Sequence, residues 1–176
     1  MRSQFAVLFT AALTASAVAT SALAQSRTEQ IVTVGPWEVK TTYRADKFES
    51  CTMTRSAAEL GITFARNSDG LLLLLESPKW KLERGKAYPV RLVAGGQSID
   101  ARALADAKSV TIPLEEGTLG GRLRMSSVLQ VQGEGATLRV PLDGSTAALN
   151  RLDACFQKNS RESAATNPFV APSRKP

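Results

Sequence analysis

The sequence predicts a mainly β protein, a single antiparallel β-sandwich or barrel-like domain with a short C-terminal helix. Three observations carry that expectation. From Ile31 onward, apolar residues recur at alternate positions in short segments separated by Gly, Pro, Asn and Asp, the pattern of strands joined by tight turns. A three- and four-residue apolar period is clear in one place, near the end of the chain, at Ala148, Leu149, Leu152, Cys155 and Phe156. The two cysteines, Cys51 and Cys155, lie 104 positions apart, one in a strand pattern and the other on that helical face.

Taken in order, Val32, Val34, Trp37 and Val39 predict a first strand interrupted at Gly35-Pro36. A loop over Tyr43 to Glu49 leads to a second strand, Ser50 to Arg55, with Cys51 and Met53 on one face. Asn67-Ser68-Asp69-Gly70, set between Gly61 to Ala65 and Leu71 to Leu75, predicts a hairpin, because Asn, Asp and Gly accept a positive φ. Five consecutive leucines read as a strand buried on both faces, being too few for a helix that stands alone. Trp80-Lys81-Leu82 and Ala87 to Val93 follow, then a Gly95-Gly96 turn and Ser98 to Leu104. Pro89 has no amide proton to give a ladder, which argues for the edge or the start of its strand. Val110-Thr111-Ile112 is a further short strand, Leu119 to Leu129 is ambiguous, with Leu119, Leu123 and Val128 suggesting a brief helix, and Ala136 to Leu142 is the last strand. Asp143-Gly144-Ser145 offers an N-cap to the final helix, whose apolar face turns Cys155 toward the core.

Three segments follow from composition. Residues 1–24 read as a secretory signal: one charge at Arg2, the apolar run Phe5 to Phe9, an Ala/Ser/Thr-rich continuation, and small residues at Ala22-Leu23-Ala24 before a polar start at Gln25. Residues 25–157 form the β-rich domain, and 158–176, rich in Ser, Ala, Asn, Pro and charge, read as a disordered tail. Cleavage leaves 152 of the 176 residues, enough for one hydrophobic core, and leaves no stable membrane span. The expected address is the periplasm, with secretion or surface association beyond it. In that oxidising space an even pair of cysteines in one domain forms a disulfide, Cys51 to Cys155.

Charge points away from nucleic acid. Of the net +6, Arg2 leaves with the leader and the stretch from Lys158 carries +3, so the body holds +2. The chain has no histidine, which excludes Ser-His-Asp and Cys-His catalysis and His-based zinc sites. It has no S-x-x-K, G-x-S-x-G, phosphate-binding loop or calcium loop, and its three methionines do not make a soft copper set. Glu115-Glu116 are adjacent carboxylates of a turn rather than a converging catalytic pair. No catalytic residue, metal or cofactor is therefore expected.

Gly35-Pro36-Trp37-Glu38-Val39, then Phe48-Glu49-Ser50-Cys51-Thr52-Met53-Thr54-Arg55, and the closing Leu142-Asp143-Gly144-Ser145-Thr146-Ala147-Ala148-Leu149 with Cys155 make a spaced W…C…GSxxAL…C pattern behind an exported leader. In this the chain resembles the invasion-associated locus B family of alphaproteobacterial exported proteins, from about Val34 to Cys155. Members commonly carry a further cysteine soon after the tryptophan, where this chain has Lys40, Thr41 and Thr42. The resemblance implies a small periplasmic or surface-associated β-rich protein, linked by its family's name to host-cell invasion, with no catalytic residues to carry over.

One segment stands out as a candidate binding surface. In Lys79 to Tyr88, a strand and turn would set Trp80 and Leu82 on one side and Lys79 and Lys81 on the other, joined at the bend by Arg84 and Lys86. Such a patch suits an anionic polysaccharide or lipid head group. Against it stands the ordinary role of lysine in guarding an exposed strand, with Trp80 in the core. Trp37 and Tyr43 are read as core for the same reason, the chain having few aromatics. The expected function is that of an exported non-enzymatic binding protein whose partner is an unidentified envelope or host-surface component. The alternatives are a periplasmic inhibitor of a hydrolase and an anionic-ligand-binding module.

Overall fold

The computed structural model describes residues 26–44, 47–114 and 119–165. The expected leader, Glu115-Glu116 and the tail beyond Ala165 lie outside the described residues. Ten strands form one antiparallel sheet: β1 (Ser26–Val34), β2 (Trp37–Arg44), β3 (Lys47–Ala57), β4 (Leu60–Asn67), β5 (Gly70–Glu76), β6 (Ala87–Ala94), β7 (Gln97–Ala105), β8 (Ser109–Leu114), β9 (Val128–Gln132) and β10 (Thr137–Pro141). Helix α1 (Leu119–Met125) joins β8 to β9, and α2 (Ser145–Ala165) closes the described chain. The spatial order is β1-β2-β3-β4-β5-β8-β7-β6-β9-β10. Strands β6 to β8 thus form a meander, with β5 returning beside β8 and β9 beside β6, two overlapping Greek keys on a shared centre.

Turn chemistry sets the registers. Gly35, at φ +58°, and Pro36 form the two-residue loop of the β1–β2 hairpin, so the expected single interrupted strand is two strands. A glycine with positive φ followed by a ring-fixed proline reverses the chain rather than merely kinking it. Gly95 and Gly96, both at positive φ, join Ala94 to Gln97, and the Asn67 side chain accepts from the Asp69 amide at 2.9 Å in the β4–β5 turn. Strands β2 and β3 extend to Arg44 and Lys47, across most of the loop expected over Tyr43 to Glu49.

Alternation then builds the core. Leu71, Leu73 and Leu75 are buried while Leu72 and Leu74 are half-buried, so the leucine run is a central strand with one fully covered face. The inward faces of β2 to β10 meet in one cluster, joined by Leu123 of α1 and by Ala148, Leu149 and Leu152 of α2. The sheet is barrel-like and not closed: β1 and β10 each have a single strand neighbour among the described residues. The turn after β10 reaches back to β2 and β3. The Trp37 Nε1 donates to the Asp143 carbonyl at 2.8 Å, and the Arg55 guanidinium reaches Asp143 at 3.2 Å.

Two local expectations change. Ser145 begins α2, but its hydroxyl donates to the Leu123 carbonyl at 3.3 Å and that of Thr146 to the Arg124 carbonyl at 2.5 Å. These hydroxyls cover carbonyls at the end of α1 that helical geometry leaves without partners, a use that competes with capping α2 itself. The second concerns the tail. Helix α2 runs past the boundary at 157, through Lys158 to Ala165, because buried Asn159 holds it down: the Tyr43 hydroxyl donates to Asn159 Oδ1 at 2.6 Å, and Asn159 Nδ2 donates to the Cys155 carbonyl at 2.8 Å.

Candidate functional site

The residues of the spaced pattern come together on one side of the sheet. Cys51, buried on β3, is bonded to Cys155 on α2, with their Cα atoms 6.2 Å apart. Trp37 is fully buried and meets Phe64 edge-to-face at 5.8 Å. Gly144 has φ +69°, and a Cβ there would lie 3.1 Å from Pro36 Cδ, so both its conformation and its closeness to Pro36 call for glycine. Arg55, which nothing in the sequence marks, lies 5.2 Å over the Trp37 ring with a side chain only 14% exposed. Tyr43 is half-buried and packs edge-to-face on Phe48. This side of the molecule is a structural staple: its aromatics and sulfurs are engaged with one another.

A different surface opens at the end of β6 remote from α1. Residues 77–86 connect β5 to β6, and they do not form the strand expected at Trp80-Lys81-Leu82. Pro78 and the turn that returns the Trp80 amide to the Ser77 carbonyl break the ladder, and the later backbone groups bond the β7–β8 turn: Leu82 to Ala107 at 3.1 Å, Gly85 to Ala105 at 2.8 Å. The alternation survives without the strand. Trp80 and Leu82 are half-buried while Lys79 and Lys81 are exposed.

Of the four basic side chains singled out there, Lys79 pairs with Glu59, Arg84 with Asp106 at 2.9 Å, and Lys86 with Glu83 at 2.9 Å. Lys81 has no ion pair among the described residues. The Lys86 ammonium also lies 5.3 Å over the Tyr88 ring. Its pKa is raised above the ordinary lysine value, first by the hydrogen bond it donates to Glu83, then by the charges of Glu83 and Tyr88, with desolvation opposing them.

Behind this connection lies an apolar cleft of about 370 Å³. Trp80 and Leu82 make one wall, the inward residues Tyr88, Val90 and Val131 make the floor, and the β9–β10 turn around Glu134 makes the other wall. Among the described residues nothing covers the sheet's inner face here, so the core runs out into an open mouth. Both walls are held by backbone bonds, the second by Gly133 donating to the Ala136 carbonyl at 2.9 Å. Sequence reading missed this mouth. Its signal was the apolar alternation Trp80, Leu82, Tyr88, Val90, which continues across a break in secondary structure and reads as ordinary core until the fold shows nothing packed above it among the described residues.

Pro89 finds its place in the same region. It pairs with Arg102 of β7, but the pairing of β6 with β9 starts only at Arg91, so the proline occupies a locally one-sided stretch near the start of its strand. Glu134 is the single titratable residue of the cleft's walls besides Tyr88.

The fold and the mouth together define a disulfide-stapled, open antiparallel β domain with a preformed apolar cleft. No family model, curated protein or solved structure matches the chain.

Proposed function

We propose that the protein is an exported binding protein of the bacterial envelope, acting without catalysis in the interactions that its resemblance to the invasion-associated locus B family implies. The observation that carries this reading is the mouth: an apolar cleft with walls fixed by backbone hydrogen bonds, in a domain cross-linked between β3 and α2. A cleft of several hundred cubic ångströms lined by aliphatic and aromatic groups is the usual form of a small-ligand site. Fixed walls lower the ordering cost of binding. No helix among the described residues is long and apolar enough to cross a membrane.

The test uses the processed, oxidised chain recovered from the periplasm of an expressing cell, with its N-terminus read by mass spectrometry. A ligand that binds the folded state raises the thermal midpoint. Envelope extract is divided into lipid, polysaccharide and protein fractions, and at least one should raise the midpoint saturably. Unchanged midpoints with all three, or retention of the unprocessed chain in the cytoplasm, would overturn the reading.

A further inference from the structure

We propose that the mouth holds the hydrocarbon chain of a single-chain zwitterionic amphiphile, with the charged head at the rim between Lys86 on one wall and Glu134 on the other. The inference deepens the binding role above and rests on it.

Three features select this chemistry. The first is the lining. Apart from Glu134, the Tyr88 hydroxyl and the Trp80 indole N–H, the walls offer no polar side chain, so most hydroxyls of a sugar ring seated inside would lose their hydrogen bonds to water without replacement. A polysaccharide is a poor occupant for that reason. A volume of about 370 Å³ holds about twelve methylene-sized groups, at the ~30 Å³ that a water takes in the liquid.

The second is the strand that forms the floor. A peptide binding by strand addition needs a row of free amides, and β6 presents Pro89 in the stretch that β9 leaves unpaired. A flexible hydrocarbon chain needs no such row.

The third is the rim. Lys86 stands over Tyr88 at the cleft's edge, bonded to Glu83, and Glu134 lines the facing wall. A cation on one wall and a carboxylate on the other give a head that carries both charges a partner for each, whereas a head of one sign meets a like charge on one side. A phosphate would lie toward Lys86 and an ammonium toward Glu134.

The experiment titrates dodecanoyl lysophosphatidylethanolamine, below its micelle concentration, into the oxidised protein while following tryptophan emission. The chain has two tryptophans; Trp37 is buried in the staple and Trp80 lines the mouth. A saturable one-site change is expected, abolished in Trp80→Phe as a signal but retained by calorimetry. Shortening the chain by two methylenes should weaken binding about tenfold, each buried methylene contributing through the hydrophobic effect. Ala136→Phe, on an exposed turn residue of the rim, should fill the opening and weaken binding about tenfold with the thermal midpoint of the free protein unchanged. Glu134→Lys should shift preference toward the anionic dodecanoyl lysophosphatidylglycerol. The proposal falls if binding is absent, if it is indifferent to chain length or to Ala136→Phe, or if the parent binds the anionic lipid as tightly. A lipid fraction without effect on the midpoint, beside an active polysaccharide or protein fraction, would sink this inference and leave the binding role standing.

Discussion

Reducing the disulfide should destabilise the whole domain, not only the helix it anchors. The bond joins β3 to α2 across 104 positions, so it restricts an unfolded loop that contains β4 to β10. For a loop of about 100 residues the chain-entropy account gives about 4.7 kcal/mol, and measured losses on removing a native bridge run from about 2 to 5. In a domain of this size each kcal/mol moves the thermal midpoint by roughly 2–4 °C, so reduction should lower it by about 10 °C. Reduction of the native protein is a cleaner perturbation than Cys51→Ala, because Cys51 is fully buried and its truncation adds a cavity to the lost cross-link. Urea unfolding with and without a phosphine reductant, monitored by circular dichroism, measures the difference; the slope should rise on reduction as the unfolded chain expands and exposes more surface. Hydrogen exchange supplies the decisive outcome. If amides of α2 alone lose protection while those of β5 and β8 keep theirs, or if the loss is under about 1 kcal/mol, then the bridge is a local clip and the reasoning from the unfolded state is wrong.

Gly144→Ala should cost about 1–2 kcal/mol in urea unfolding, since it forces a left-handed conformation on an L-residue and sets a methyl 3.1 Å from Pro36. Arg55→Met should change stability by no more than about 1 kcal/mol: the lost contact over Trp37 is offset by removing a guanidinium whose buried Nε has no partner among the described residues, and Asp143 is exposed enough to be hydrated alone. Arg55→Ala should cost more, because it also strips the aliphatic stem from the Trp37 ring. For Lys86, whose folded pKa is raised, the favourable pairing with Glu83 is fully present below the ordinary lysine pKa and fades as pH rises through the folded value. Side-chain NMR should therefore show Lys86 titrating above a free lysine, and Glu83→Gln should bring it down and remove the small contribution of this exposed pair to stability between pH 6 and 9.

Where one force acts on contiguous residues, the sequence is a good guide to the fold. The Asn67 to Gly70 turn, the Gly95-Gly96 turn, the Cys51/Met53 face and the α2 face at Ala148, Leu149 and Leu152 all follow from backbone freedom or apolar period within a few residues. Misreadings arise where a distant partner decides. Asn159 looks like the start of a polar tail until Tyr43, more than a hundred positions earlier, engages it. Ser145 looks like a cap until α1 presents its own unpartnered carbonyls. Trp80-Lys81-Leu82 alternates like a strand, yet the Trp80 amide turns back to Ser77 and the Leu82 amide is claimed by the β7–β8 turn. The mouth is the extreme case, since an uncovered apolar face has the same local sequence as a covered one.

That division has a consequence for the spaced W…C…GSxxAL…C pattern. In this molecule Trp37, Cys51, Gly144, Leu149 and Cys155 either sit in the core or fix the β10–α2 turn against Pro36, and none lines the mouth. The pattern is therefore a signature of how the open sheet is stapled to its helix. The residues that line the mouth lie between its landmarks, at 80–90, 103, 110 and 131–138, apart from the staple. A second chain carrying the same pattern should share the fold and its loss of stability on reduction, while under the proposed binding role its ligand is set by the intervening segments. Grafting residues 79–86 and 133–136 from such a chain should move lipid preference with them and leave the effect of reduction on stability unchanged. If the grafted protein keeps the original preference, the floor of the cleft rather than its rim selects the head group.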